Sequence, residues 1–231
     1  DYNLMFGSYY KKMIAKLNGY PKERLIVTGP TRNDNMVMNM RDFCDDKMIS
    51  LKKTLDIPLN RKTIFLCTSP RDVRSTISLV LNAIKISKAQ PFLVIKLHPT
   101  AIENVIDFNE FGFREFKDFI IISEQINQFM LISDVVVSQL STVALESVLM
   151  GKPHIIISKD LSLKNSFIFS EQPLIMHTDK HKEASHMLDK LLLSDNNKDE
   201  LFEYRKLFLK KYFDNEDGCA LDRVNNFLVS L

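Results

Sequence analysis

The segment Asp134-Val135-Val136-Val137-Ser138-Gln139-Leu140-Ser141-Thr142-Val143-Ala144-Leu145-Glu146, running on into Gly151-Lys152-Pro153, reads as a strand, a hydroxyl-bearing turn and a helix. Its β-branched run is continuous, as expected of a strand buried on both faces, and the helix after it places Ala144, Leu145 and Val148 on one side. A parallel strand thus delivers its carboxyl end to a helix N-terminus, where unpaired N–H groups and a positive dipole favour a phosphate. Ser141 and Thr142 add hydroxyls there, and Glu146 is placed to accept hydrogen bonds from a ribose or sugar diol. The same residues also satisfy a plainer assignment, with Ser141 as the N-cap and Glu146 as a solvated helix residue.

A second apolar strand, Phe92-Leu93-Val94-Ile95-Lys96-Leu97, ends in His98-Pro99-Thr100. Pro99 keeps His98 extended, and Thr100 with Glu103 has the spacing of a capping box that starts the next helix. An imidazole at a strand's carboxyl edge suits a phosphate oxygen when it donates and proton transfer when neutral. His98 and Ser141 therefore point to one crevice, because open α/β sheets bind ligands outside the carboxyl ends of their strands.

The rest of the chain alternates in the same way. Strands are expected at 24–28, 63–68, 92–97, 119–123, 134–138, 154–157 and 174–177, with helices at 45–55, 73–87, 101–108, 126–132 and 142–150 between them. This is the pattern of an α/β, doubly wound parallel sheet. After Thr178 the pattern becomes helical, at 180–193, 198–213 and 218–231, so a core over 1–178 is followed by terminal helices over 179–231.

Length and composition agree. The 231 residues, 45% hydrophobic and 26% charged, suffice for one large α/β domain, and a net charge of +2 argues against a general nucleic-acid binder,. Cys44, Cys67 and Cys219 show no paired spacing, which suits a reducing cytoplasm and gives neither a disulfide framework nor a zinc site,. His154, His177, His181 and His186 have no metal-ligand spacing and are expected to be structural or exposed. No apolar run approaches the roughly 18 residues of a membrane span. The start Asp1-Tyr2-Asn3-Leu4 is not that of a signal peptide, and the missing initiator Met is expected of a piece of a longer protein,. The basic and aromatic stretch Tyr204 to Phe213 reads as a helix with Leu207 and Phe208 in the core and lysines in water, rather than as a membrane-surface helix.

Lys96-Leu97-His98-Pro99, Ser138 to Pro153, and Asp217-Gly218-Cys219-Ala220-Leu221-Asp222-Arg223 together resemble the C-terminal half of bacterial GT-B fold transferases. The groups resembled are the capsule polysaccharide and CDP-glycerol glycerophosphotransferase-like enzymes and the bacterial sialyltransferases with a His-Pro and a Ser-Ser/Thr motif. Val27-Thr28-Gly29-Pro30-Thr31-Arg32-Asn33-Asp34 is similar to the segment that opens this domain. The resemblance implies a Rossmann-like domain holding a donor nucleotide, a CMP, CDP or UDP conjugate that is substrate rather than cofactor, without a metal. It also implies a saccharide or lipid-linked acceptor and an N-terminal partner domain, with any membrane contact peripheral at the inner face. On this basis His98 is the catalytic candidate at the phosphates beside Ser141 and Thr142, and Glu146 meets the ribose. Ser69 and Arg71, after the strand at 63–68, face the crevice from the opposite wall, and Gly29, Arg32 and Ser138 are further contacts.

Two departures qualify this picture. The sialyltransferase acid/base motif precedes the His-Pro, whereas Glu216-Asp217-Gly218 follows it, so neither acid is assigned as a base. Asp217 is expected instead to cap the last helix. The non-hydrolysing UDP-GlcNAc 2-epimerases carry Ser-Gly-Gly where this chain has Leu140-Ser141-Thr142, which weighs against an epimerase. That enzyme, and a module that binds a nucleotide or glycan without turnover, are the two alternatives.

Overall fold

A computed structural model of the chain describes residues 1–70, 72–99, 117–122, 126–139, 141–158, 174–194, 198–214 and 217–231. Two compact units emerge, Asp1–Phe43 with Phe202–Leu231, and Cys44–Leu201. The division follows the path of the chain in space, so it differs from the expected boundary at residue 178, which followed only the change from alternating to helical pattern.

In the first unit, β1 (Asn3–Met5) and β2 (Leu25–Val27) pair in parallel across α1 (Ser8–Asn18), and α2 (Asp34–Arg41) follows a 3₁₀ turn at Thr31–Asn33. Neither β1 nor the two helices were legible, because β1 is three residues long and largely exposed and α1 has no fully buried residue to set an apolar period,.

The larger unit opens with α3 (Asp45–Thr54) and continues with β3 (Thr63–Cys67), α4 (Val73–Ile86), β4 (Phe92–Lys96) and β5 (Phe119–Ile122). Then come α5 (Ile126–Ile132), β6 (Val135–Ser138), α6 (Val143–Leu149), β7 (His154–Ile157), β8 (Ile175–Thr178) and α7 (His181–Leu193). Its six strands are all parallel, in the order β5-β4-β3-β6-β7-β8, so the expected doubly wound sheet is present. The helix expected at 101–108 lies outside the described residues.

Alternation sorts the sheet's side chains into two layers. Ile64, Leu66, Leu93, Ile95, Val135, Val137, Ile155 and Ile157 pack under α4 and α7, with Ile77, Val80, Leu81, Ala184 and Leu188 closing that side. On the other face Phe65 stacks on Phe129 of α5 at 6.1 Å. β3, β6 and β7 are buried throughout, as expected of strands covered by helices on both faces,.

The chain returns to the first unit through α8 (Lys198–Tyr212), within which the division falls, and α9 (Ala220–Val229). Phe208, Leu209, Tyr212 and Phe213 are buried, whereas Leu207 is 62% exposed, so Leu209 takes the core place expected of Leu207. The cap of α9 also differs from expectation. The Asp34 carboxylate accepts the N–H groups of Ala220 and Leu221 at 3.1 and 2.8 Å. Asp217 instead accepts from the Arg223 guanidinium and from the Cys219 N–H, and chiefly the charge-assisted pairing with Arg223 holds its carboxyl below the usual range,. Arg223 also donates through Nε to the Thr28 carbonyl at 2.7 Å. Gly29 follows with φ +88°, and a Cβ there would lie 3.1 Å from the Arg223 guanidinium and 3.2 Å from Ala220. The backbone angle favours glycine, and a side chain would also have to push these neighbours back,.

Candidate functional site at the carboxyl edge of the sheet

β3 lies between β4 and β6, with Cys67 in register with Lys96 on one side and with Ser138 on the other. Strand order reverses between β3 and β6, and the loops leaving these strands diverge to opposite faces of the sheet, which opens a crevice at such a switch point,. Three loops therefore start side by side, each ending a buried strand whose position is set by the core beneath it.

Hydrogen bonds join them in a row. Thr68, buried at the end of β3, takes the Lys96 carbonyl through its N–H at 3.0 Å, and its Oγ1 accepts the His98 N–H at 3.0 Å. His98 is thereby fixed at its backbone, half-buried, two residues beyond the end of β4. Ser69 then donates twice to a single atom, Gln139 Oε1, through its N–H at 2.9 Å and its hydroxyl at 2.6 Å. Those bonds tie the β3 loop to the β6 loop across the switch point. Ser141 follows, its Oγ accepting the Val143 N–H at 3.3 Å. This is the capping role anticipated for Ser141, and it leaves the hydroxyl proton as a donor. Thr142 is exposed and makes no cap bond of its own, and α6 beyond it runs for only seven residues.

Glu146 is 4% exposed on α6, so it is not the solvated helix residue of the plainer assignment. Ser138, expected as a ligand contact, is corrected by the structure. It is 1% exposed, on the α6 face of the sheet, with its hydroxyl 2.9 Å from His154 Nε2 and 2.5 Å from the Gln139 carbonyl. Alternation turns it inward with Val136, since both share a face with His154,. Arg71 lies outside the described residues, as do Thr100 and Glu103. Gly29 and exposed Arg32 belong to the first unit, and the row above consists of second-unit residues alone.

A cleft of about 230 Å³ opens at the same edge, lined by Asp72, Ser75, Gln139, Ile157, Ser158 and Asp179 among others. It lies toward β7 and the start of α4, and Gln139 is the residue it shares with the row of loops. No group of three or more His, Cys, Asp or Glu capable of holding a metal occurs among the described residues. The sequence reading missed Thr68 and Gln139 as organising residues. No local signal marks them, because their partners stand 30 and 70 positions away in the chain.

The family described as CDP-Glycerol:Poly(glycerophosphate) glycerophosphotransferase matches residues 1–230. The chain belongs to this family. As a member, it is 21% identical over 238 residues to a teichoic acid glycerol-phosphate transferase of Staphylococcus aureus, covering 97% of the chain and 59% of that protein. A solved wall teichoic acid polymerase, TagF, superposes on the whole chain with a TM-score of 0.71 at 17% identity, covering 57% of that structure. The UDP-GlcNAc 2-epimerase of Neisseria meningitidis superposes on 98% of it with a TM-score of 0.68 at 14% identity, covering 60% of the enzyme. These likenesses show the GT-B type of fold. The glycerophosphotransferase family member described here spans less than two thirds of each of these relatives.

Proposed function

We propose that this chain is the donor-nucleotide-binding half of a transferase that moves glycerol phosphate from a cytidine-diphosphate-linked donor onto a growing cell-surface polymer. The family match over 1–230 carries the reading. The row of loops from His98 to Thr142, at the switch point of a parallel sheet, supports it, as does a similar TagF structure soaked with CDPG,.

The chemistry asked of such a site is phosphoryl transfer. An acceptor hydroxyl oxygen forms a bond to the glycerol-bearing phosphorus, the P–O bond to the nucleoside monophosphate breaks, and the monophosphate leaves with the bonding pair. The hydroxyl proton passes to a base. Negative charge on the leaving phosphate is met by donors fixed in advance, which is the part this chain supplies: the His98 ring, the Ser141 and Thr142 hydroxyls and nearby backbone N–H groups. Glu146 is kept for the ribose, because a carboxylate repels phosphate but accepts from a diol. The epimerases share the fold, yet the family match favours transfer over epimerisation.

Thermal unfolding of the chain with CMP, CDP, UDP or GDP tests this reading, since a ligand that binds only the folded state raises the midpoint by mass action. The cytidine nucleotides are expected to raise it most. Absence of any shift, or a preference for GDP, overturns the proposal.

A further inference from the structure

Beside Gln139, at the carboxyl end of β6, lie three side chains that solvent does not reach: Ser138, Ser147 and His154, exposed by 1, 0 and 0%. Ser138 Oγ stands 2.9 Å from His154 Nε2 and 2.5 Å from the Gln139 carbonyl. Ser147 Oγ stands 2.9 Å from His154 Nδ1 and 2.8 Å from the Ala144 carbonyl. A carbonyl only accepts, so each of these four contacts needs a proton from a serine or from the ring. The two hydroxyls bring two. An imidazolium brings two more, a neutral ring only one.

Burial decides which ring is present. The ring meets two hydroxyls, and desolvation drives its pKa down from 6.5 to about 3, so it is neutral at ordinary pH,. Three protons then serve four contacts, and one contact goes without. The Ala144 carbonyl sits inside α6, where the N–H four residues on supplies a ladder bond,. Ser138 and the Gln139 carbonyl stand 2.5 Å apart, the short limit for O–H···O, and two oxygens that close without a proton between them repel,. The contact that tolerates the loss is therefore Ser147 to Ala144, and Ser147 turns its hydroxyl to Nδ1.

The geometry points to a directed hydrogen-bond chain, His154 Nε2–H to Ser138 Oγ–H to the Gln139 carbonyl, that fixes Gln139 beyond the end of β6 and makes His154 a positioning residue for nucleotide binding. Gln139 is then held at both ends, its carbonyl by Ser138 and its side chain by Ser69. Through it a residue buried under the sheet sets the spacing between both walls of the crevice. The inference rests on the reading that the nucleotide phosphates sit beside Gln139, Ser141 and Thr142.

The test uses the chain with ¹⁵N-labelled histidine and CDP as the probe. Long-range ¹H–¹⁵N correlation is expected to show His154 protonated at Nε2 and bare at Nδ1. His154→Gln places an amide N–H₂ where Nε2–H stood, and is expected to keep CDP affinity within about threefold of the parent. His154→Leu and Ser138→Ala are expected to lower it by about tenfold, the size of one lost hydrogen bond. Ser147→Ala is expected to stay within about threefold, because it removes only the bond to Nδ1 and leaves the bonds from Nε2–H through Ser138 to Gln139 in place,. In ligand-free protein, amide exchange at Ser141 to Val143 is expected to quicken in His154→Leu and Ser138→Ala but not in His154→Gln. A proton on Nδ1, or equal losses in Ser147→Ala and Ser138→Ala, overturns the inference. If His154→Leu fails to fold, Ser138→Ala, which removes a single oxygen, decides. A parent that fails to bind CDP overturns the nucleotide reading, while the ring's proton and the amide exchange still decide whether the chain of bonds exists.

Discussion

Ser69 gives both its N–H and its hydroxyl to Gln139 Oε1, at 2.9 and 2.6 Å, and so bridges the loops that leave β3 and β6 at the point where strand order reverses. An amide oxygen thus ties the two walls of the crevice together above strands that the core already places. Gln139→Ala leaves two part-buried donors without this acceptor, and an expected loss of roughly 1 to 3 kcal/mol follows from their desolvation. Urea unfolding measures it. Nucleotide affinity is expected to fall in the same variant, and unchanged stability with unchanged affinity would remove Gln139 from the site.

His98→Ala and Ser141→Ala are each expected to weaken CDP binding by roughly 1 to 3 kcal/mol, the range for a lost charge-assisted hydrogen bond. Because His98 is fixed by its backbone N–H on Thr68, removing its ring leaves the loop in place. Calorimetric titration reads the result, and parent-like affinity in both variants would refute the site. Glu146→Gln is expected to weaken cytidine nucleotides far more than their 2′,3′-dideoxy analogues, and equal losses would end the ribose assignment.

Asp34 caps a helix from 187 positions away, so its removal reports on tertiary structure rather than on local helix formation. Asp34→Ala is expected to cost about 1 to 2 kcal/mol, the usual range for a lost N-cap, and Asp34→Asn less because an amide oxygen still accepts. Asp217→Ala should cost less than Asp34→Ala, since the Asp217 side chain is 46% exposed and solvent screens its pairing with Arg223,. Chemical denaturation ranks the three. The reverse order would return the capping role to Asp217.

Acid is expected to destabilise this fold through His154. The unfolded chain takes up a proton at this residue below its ordinary value of 6.5, whereas the folded chain does so only near pH 3. Between those values the unfolded state binds more protons, so stability falls as pH falls, by on the order of 1 kcal/mol per pH unit from this group. His154→Gln removes the titration, and its stability between pH 6 and 4 should decline less steeply than that of the parent by about that slope. Parallel curves would show that the ring is not held neutral.

The sequence by itself determined the parallel sheet and its carboxyl edge. The inner strands β3, β4, β6 and β7 were legible because burial on both faces demands continuous β-branched and aliphatic runs, and that demand is local,. The turn at Ser141 and the His98-Pro99 strand end were visible for the same reason, since Pro and hydroxyl residues act on their immediate neighbours. Tertiary structure alone decided which polar side chain serves which partner. Ser138 looks like a ligand contact in the sequence and is a buried brace in the fold. Asp217 looks like the cap of the last helix, but Asp34 supplies it. Gln139 gives no sign that it holds Ser69. Alternation along a strand turns a side chain up or down, but only pairing register and the path of the chain bring a donor to its acceptor, and those bonds join residues as far apart as Asp34 and Leu221,.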